Sequence, residues 1–214
     1  MSETVSTIDV RQRIGDMLNR VALRHDEFVI ARKGKALAAL VPVERLEQMR
    51  RFAKRHALDM MASQAGGTLS ADAADALALY AALSYVSALI RPEGPPGLIL
   101  RLFLRGDAFE LVLSPAIVDE TLRAFTYPKV RKYLRAKVDP ALWFEDIVLL
   151  AHLVDAKVSP SRISVDRDDD KYLPAAVSGG ASLVVSGDPD LLLVGEFERV
   201  RIITPRAFLD RLSG

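Results

Sequence analysis

The alternation of apolar and polar residues near the start of the chain predicts an amphipathic helix. Four apolar residues recur at the spacing of one helix face: Ile14, Met17, Leu18 and Val21. Asp9, followed three residues later by Gln12, is predicted to cap this helix. The helix should therefore begin close to residue 9.

Two β-rich runs, 27–31 and 36–41, follow this helix. The basic sequence Arg32-Lys33-Gly34-Lys35 joins them, which is typical of a hairpin with a glycine turn. Pro42 ends the second run because proline has no amide to donate to a strand. Residues 44–55 are predicted to form a second helix that ends in a basic run.

Beyond residue 77, apolar runs of strand length alternate with helical segments. The predicted strands are 109–113, 182–185 and 201–203, and the predicted helices include 98–104, 140–154 and 205–212, one that opens at Ser114-Pro115 and one just after Asp170. This alternation indicates a parallel sheet with helices on both faces. Residues 63–74, rich in Ala, Gly and Ser, are predicted to separate the two parts.

Composition narrows the class of protein. Half of the residues are hydrophobic (50%), so we expect a packed core rather than disorder. The chain has no cysteine, which excludes disulfides and thiolate metal sites, and it has no apolar run of membrane-spanning length. We therefore expect a cytoplasmic protein without a membrane partner.

The net charge of +1 conceals an asymmetry along the chain. Residues 1–56 contain 12 Lys and Arg against 7 Asp and Glu, whereas the remainder contains 17 against 21. The first part is therefore suited to an anionic partner, and the acidic clusters of the second part are suited to a cation.

Two carboxylate clusters flank one predicted helix and one predicted strand. The first is the acidic run 166–170, and the second is Asp188 with Asp190. Because the carboxyl ends of strands form the ligand crevice of open α/β sheets, Asp188 should lie at that edge. Carboxylate oxygens suit Mg²⁺ or Mn²⁺. The competing interpretation is an ordinary helix cap, since Asp188-Pro189 also has that form.

Four segments at the start of the chain share their order and spacing with a known family. They are TIDVRQ (7–12), LNRV (18–21), FVIARKGKA (28–36) and LVPV (40–43), and together they resemble the Phd/YefM antitoxin family across residues 5–55. The resemblance implies a dimeric domain that binds operator DNA. It implies that Arg11 and Arg32 contact DNA and that Lys33 and Lys35 contact phosphates. The alternative is that these four are solvated surface charges.

Five segments of the second part carry another resemblance: VSALIRP (86–92), ELVLSP (110–115), DDDKYL (168–173), VSGDPDL (185–191) and ITPRAFL (203–209). They closely resemble the PIN-domain family, in particular its toxin branch, across about residues 77–212. The resemblance implies a ribonuclease fold that depends on Mg or Mn. Glu120, Asp170 and Asp188 match three of the family's acidic, metal-holding positions, and Asp190 matches a frequent accessory position.

One position departs from the family pattern. The family's first acidic residue ends its first strand, and the matching residue here is Ala81, followed by the atypical Ala82 and Leu83. Alanine has no side-chain donor for a cation. Two explanations stay open: natural decay of the nuclease, or replacement of an aspartate to silence a toxic enzyme.

These observations favour a single-chain toxin–antitoxin fusion of mixed α/β class. Its predicted parts are a small α+β Phd/YefM-like domain (1–55), a linker or neutralising segment (56–76) and a PIN-like parallel-sheet α/β/α nuclease domain (77–214). The expected partners are an RNA substrate, operator DNA and a second copy of the chain. The alternative is a DNA-binding regulator whose catalytically dead PIN module serves dimerisation or partner binding. A third interpretation assigns the PIN fold to DNA or flap-like structures.

Overall fold

A computed structural model of the chain describes residues 2–64, 83–106, 109–156 and 171–213. The chain divides into two compact units, Met1–Phe52 and Ala53–Gly214. Two of the predicted site positions, Ala81 and Asp170, lie outside the described residues. No helix in the described ranges is long and apolar enough to cross a membrane.

The first unit is a three-stranded sheet with helices. Its elements are β1 (Ser2–Ser6), α1 (Thr7–Arg24), β2 (Glu27–Arg32), β3 (Lys35–Leu40) and the first part of α2 (Val43–Gln64). β2 lies in the middle of the sheet, parallel to β1 and antiparallel to β3. The predicted hairpin is thus confirmed. The parallel strand β1 was not predicted, and the helix predicted for 44–55 extends to Gln64.

The start of α1 corrects the predicted cap. Ser6 is the N-cap: the backbone amide of Asp9 donates to the Ser6 hydroxyl over 3.1 Å. The backbone amide of Ser6 donates to the Asp9 carboxylate over 3.0 Å. Asp9 is therefore the reciprocal partner in a capping box, and its prediction as the cap was wrong. The Ser6 hydroxyl, which donates to Asp9 Oδ2 over 2.6 Å, and the Ser6 amide hold the pKa of the Asp9 carboxyl below its ordinary value.

The core of the first unit is small. It consists of Val5, Met17, Val21 and Phe28. Leu18 was predicted to share the apolar face of α1 with Met17, but it is 51% exposed. Because three strands of five or six residues cover only a narrow strip of α1, half of the predicted face stays on the surface.

The second unit begins with the last part of α2 and has a mixed α/β architecture. Its further elements are α3 (Leu83–Ile90), α4 (Pro95–Arg105), β4 (Val112–Leu113), α5 (Pro115–Phe125), α6 (Pro128–Arg131), α7 (Pro140–Leu150), β5 (His152–Leu153), α8 (Tyr172–Ser178), β6 (Leu183–Val185), α9 (Pro189–Val194), β7 (Glu196–Phe197), β8 (Val200–Ile203) and α10 (Pro205–Ser213). The described strands form two separate sheets, β4–β5 and β6–β8–β7, where the sequence predicted one parallel sheet. The pairs β4–β5 and β6–β8 are parallel, and β7 pairs antiparallel with β8.

Two predicted boundaries in this unit were wrong. The strand predicted for 109–113 is reduced to β4, and the helix predicted for 140–154 ends at Leu150. Residues 152 and 153 instead form β5. The His152 amide donates to the Leu111 carbonyl over 2.8 Å, and the Val154 amide donates to the Leu113 carbonyl over 2.9 Å. At the end of α8, a Cβ on Gly179 would overlap the side chain of Val112, so glycine is what lets this helix approach β4.

The last part of α2 packs into the core of the second unit. Ala57 and Met61 are fully buried there. His56 Nδ1 lies 2.6 Å from Asp146 Oδ2, and the Arg135 amide donates to Gln64 Oε1 over 2.9 Å. Residues 56–64 belong to helix α2. A neutralising role for residues 56–76 stays a prediction.

Candidate active site

Glu120 lies on the helix that follows β4. Ser114 ends the strand segment and is the N-cap residue of α5, with Pro115 at the first helical position, and Glu120 follows in the second turn. The Ser-Pro start and the buried residues Ile117, Thr121 and Ala124 fix which side of α5 faces the core. Glu120 is held at the edge of that buried side, half-buried rather than exposed.

Two residues that the sequence did not single out engage the Glu120 carboxylate. The Tyr172 hydroxyl donates to Glu120 Oε2 over 2.7 Å, and Lys171 Nζ lies 2.9 Å from the same oxygen. The Glu120 and Lys171 side chains are only 25% and 16% exposed, so solvent screens this pair weakly. An ammonium group therefore neutralises Glu120 directly. The sequence feature that could have indicated these two residues is their position immediately after the acidic run.

Asp188 lies where the sequence predicted it, directly after β6. It is 6% exposed, and its Oδ1 accepts the Asp190 amide over 2.8 Å as the N-cap of α9. Its own amide donates to the hydroxyl of the buried Ser186 over 3.0 Å. The helix-cap interpretation is thus correct, but it engages one oxygen only. Within the described parts of the chain, no hydrogen bond or ion pair engages Oδ2.

Asp190 lies in the first turn of α9 and is half-buried. Its backbone amide is used by the Asp188 cap. A carboxylate at this position interacts favourably with the amino end of the helix, which by itself accounts for an acidic residue there.

The described residues match a divalent cation in donor type but do not form a complete site. Glu120 and Asp188 offer the oxygen ligands that Mg²⁺ prefers. No group of three His, Cys, Asp or Glu that could hold a metal occurs among the residues that the structure describes. Asp170, the predicted third ligand, lies outside those residues, and Ala81 offers no donor in any arrangement.

A cavity of about 380 Å³ lies against Tyr172, the residue whose hydroxyl donates to Glu120, but Glu120 itself does not line it. Residues of the β4 and β6 segments, 110–113 and 182–185, line it together with Tyr172, whose hydroxyl bonds Glu120. Its lining is mainly apolar. Next to this region, the buried Ser114 hydroxyl has no hydrogen-bond partner among the described residues. A buried hydroxyl left in this state carries a desolvation penalty, so it marks a position where a polar ligand or water is favoured.

The predicted DNA-contacting residues all lie on the surface of the first unit. Arg32, Lys33 and Lys35 occupy the β2–β3 hairpin, where Lys33 and Gly34 turn the chain with φ of 52° and 77°. Arg11 lies on an exposed position of α1. None of the four forms an ion pair within the described residues, so their charges are available to an anionic partner. Their contact with DNA stays a prediction.

Comparison with known proteins identifies the second unit. The sequence profile of the PIN domain matches residues 82–190, which lie entirely within that unit and begin one residue after Ala81. An uncharacterized protein of Methanocaldococcus jannaschii is 28% identical over 140 residues, a stretch that covers 60% of this chain and 86% of the relative. No solved structure matches the chain.

Proposed function

Because this chain belongs to the PIN domain family, whose members are generally nucleases, we propose that it is a single-chain toxin–antitoxin fusion with a weakened endoribonuclease. The observation that carries the nuclease assignment is the placement of two carboxylates. Glu120 and Asp188 each follow the carboxyl end of a strand from a parallel pair. Ligand sites of α/β folds form at that edge.

The reaction that this site supports is hydrolysis of an RNA phosphodiester with Mg²⁺ or Mn²⁺. A bound cation of this kind supplies an activated water and neutralises charge at the scissile phosphate. Glu120, Asp170 and Asp188 would hold it, and Asp190 would orient the water. Tyr172 and Lys171 fix the Glu120 carboxylate, while Ser186 and the first turn of α9 fix Asp188. These supports pre-organise both ligands before substrate arrives.

In this proposal, Ala81 accounts for the weakened nuclease activity. A divalent cation held by three carboxylates instead of four has one donor fewer and less opposing charge, so it binds less tightly. The proposed consequence is a nuclease with low activity at ordinary cation concentrations.

The first unit supplies the regulatory half of the proposal. Arg11, Arg32, Lys33 and Lys35 form no ion pair with the described residues, so they suit the phosphates of operator DNA. Its exposed apolar side chains, such as Leu18 on α1, suit a homodimer, because a second copy would remove them from water. A cytoplasmic location stays part of this proposal.

A second function is favoured by two specific observations. Ala81 removes one ligand, and Lys171 already neutralises Glu120. Both features fit a DNA-binding regulator whose PIN module no longer cuts and serves dimerisation or partner binding.

Cleavage of a panel of structured RNAs with Mn²⁺ separates the two functions. The chain is compared with Ala81→Asp, with the uncharged control Ala81→Asn, and with Ala81→Asp combined with Asp170→Asn. Restoring a carboxylate ligand should raise the cleavage rate roughly 100-fold, since a cation ligand is worth several kcal/mol in the transition state. Ala81→Asn and the double variant should stay at the original rate. If no variant cuts any RNA, the chain is the regulator and not a nuclease.

A further inference from the structure

The segment that follows Glu120 carries a dense positive charge. Residues 121–138 contain six Lys and Arg and no Asp or Glu, and all six are exposed: Arg123, Lys129, Arg131, Lys132, Arg135 and Lys137. Together they form the basic patch. Arg135 donates to the Ser63 carbonyl over 2.6 Å, which ties the patch to α2. The other five form no ion pair with any residue in the described ranges, so no carboxylate there neutralises them.

The backbone under the basic patch is firmly held. Val130 is fully buried and Val138 is nearly so, which anchors the segment in the core at two points. The Tyr127 carbonyl accepts the amides of Val130 and Arg131 over 2.9 and 3.0 Å, and further turns close at Tyr133 and Val138. The charges are therefore presented by a defined scaffold. Less conformational entropy is lost when such a surface binds a ligand.

An aromatic side chain stands among these charges. Tyr127 is 43% exposed, although it lies between two basic stretches and next to the buried Phe125 and Val130. A tyrosine ring with an open face beside lysines and arginines is the combination that single-stranded nucleic acids recognise, since bases stack on the ring and phosphates meet the charges.

The basic patch also begins next to the candidate active site. Arg123 follows Glu120 by three residues on α5, which is less than one helical turn, or about 5 Å along the axis. Tyr127 comes immediately after the end of that helix. A strand bound along the patch therefore reaches the helix face that carries Glu120.

We propose that the basic patch binds the phosphate backbone of single-stranded RNA and leads it to Glu120, with Tyr127 stacking on a base. The proposal rests on the nuclease function above for its choice of RNA. It adds the surface on which the substrate is held before cleavage.

The test measures binding without cleavage. A fluorescently labelled oligouridine of about 12 nucleotides is titrated in EDTA with the full chain and with the triple variant Lys129→Gln, Arg131→Gln, Lys132→Gln. The matched control removes three equally exposed arginines elsewhere in the second unit, Arg199→Gln, Arg201→Gln and Arg211→Gln. The patch variant should bind at least about tenfold more weakly at low salt. Its slope of log K against log salt should be shallower by about 2, because three phosphate contacts at about 0.7 each are lost.

Stacking is tested with Tyr127→Ala and Tyr127→Phe. Alanine should weaken binding about tenfold or more, whereas phenylalanine should not, because it keeps the ring. All substituted side chains are exposed, and unchanged circular dichroism and melting curves verify that each variant is folded.

Three results would overturn the proposal. The first is equal weakening by the patch and control triples. The second is weakening only when the hairpin residues Arg32, Lys33 and Lys35 are replaced by glutamine. The third is tighter patch-dependent binding of the deoxy oligonucleotide than of the RNA, which would assign the surface to single-stranded DNA. Because binding is read in EDTA, patch-dependent RNA binding without cleavage by any variant would reject the nuclease and leave the RNA surface standing.

Discussion

The two units of the chain differ in how many apolar residues they bury. Among the residues that the structure describes, the first unit buries four of them in its core, whereas the core of the second contains 24. The first unit also leaves large side chains in water, including Leu23 at 80% exposure and Ile8 and Val43 at 67%. Domains this small bury too little surface to be robust alone. The second unit also has exposed apolar side chains, such as Leu193 at 78%, so the clear difference between the units is the size of the core.

The two units also differ in whether their charged side chains are paired. In the second unit, the half-buried carboxylate of Glu120 pairs with Lys171, and the buried carboxylate of Asp146 pairs with His56. In the first unit, the hairpin charges at Arg32, Lys33 and Lys35 are open to solvent. The second unit thus pairs these two carboxylates with its own side chains, whereas the hairpin charges of the first unit face solvent.

Replacing the largest core residue of the first unit tests this comparison most severely. Phe28→Ala removes a fully buried ring from a core of four residues, so it should lower the stability of that unit by about 3–5 kcal/mol. Hydrogen exchange should then show lost protection in residues 2–52 and unchanged protection in the second unit. Phe28→Leu keeps most of the volume and should have a much smaller effect. Equal loss of protection in both units would show that their stabilities are not separate.

The elements that the sequence predicted well are those set by neighbouring residues. The hairpin depends on Gly34 between two β-rich runs, and α9 depends on the Asp188-Pro189 cap. β1 was missed because its sequence, SETVS, has a single buried residue, Val5, and no β alternation. Only its pairing with β2 makes it a strand. β5 was missed because the apolar pattern of α7 continues into it without a turn residue.

The candidate site likewise contains some features that neighbouring residues determine and others that only the fold determines. Asp188 could be predicted because a strand end and a helix cap are both readable within a few residues. The partners of Glu120 could not, because Tyr172 lies 52 residues away and no periodicity links them. Their meeting depends on how α8 packs beside β4 and α5, which is a property of the fold. The resemblance to a family supplied the acidic positions, and the structure added what holds Glu120.

Removing the Lys171 ammonium group that pairs with Glu120 should have an intermediate effect on the free energy of unfolding. Lys171→Met leaves a half-buried carboxylate with only the Tyr172 hydroxyl, so it should lower the free energy of unfolding by about 1–2 kcal/mol in urea titrations. A double-mutant cycle with Glu120→Gln isolates the pair and should give a coupling energy of about 1 kcal/mol. Lys171→Arg, which keeps the charge, is the matched control. Strictly additive effects of the two substitutions would mean that the ion pair does not stabilise the second unit.

The smallest effect is expected at Asp146, and it depends on pH. Burial raises the pKa of the Asp146 carboxyl, the hydrogen bond to His56 opposes this, and the neighbouring charge of Glu145 adds to it. Because the folded-state pKa lies above the unfolded value, the folded chain binds the proton more tightly, and this group destabilises the protein above its folded pKa. That penalty is relieved as the pH falls through the folded pKa toward the ordinary value of 3.8. As the pH is lowered from 7 to about 4, the free energy of unfolding of the original chain, measured in urea titrations, should therefore rise relative to that of the Asp146→Asn variant. A difference that moved the other way would show that the His56 hydrogen bond outweighs burial at this site.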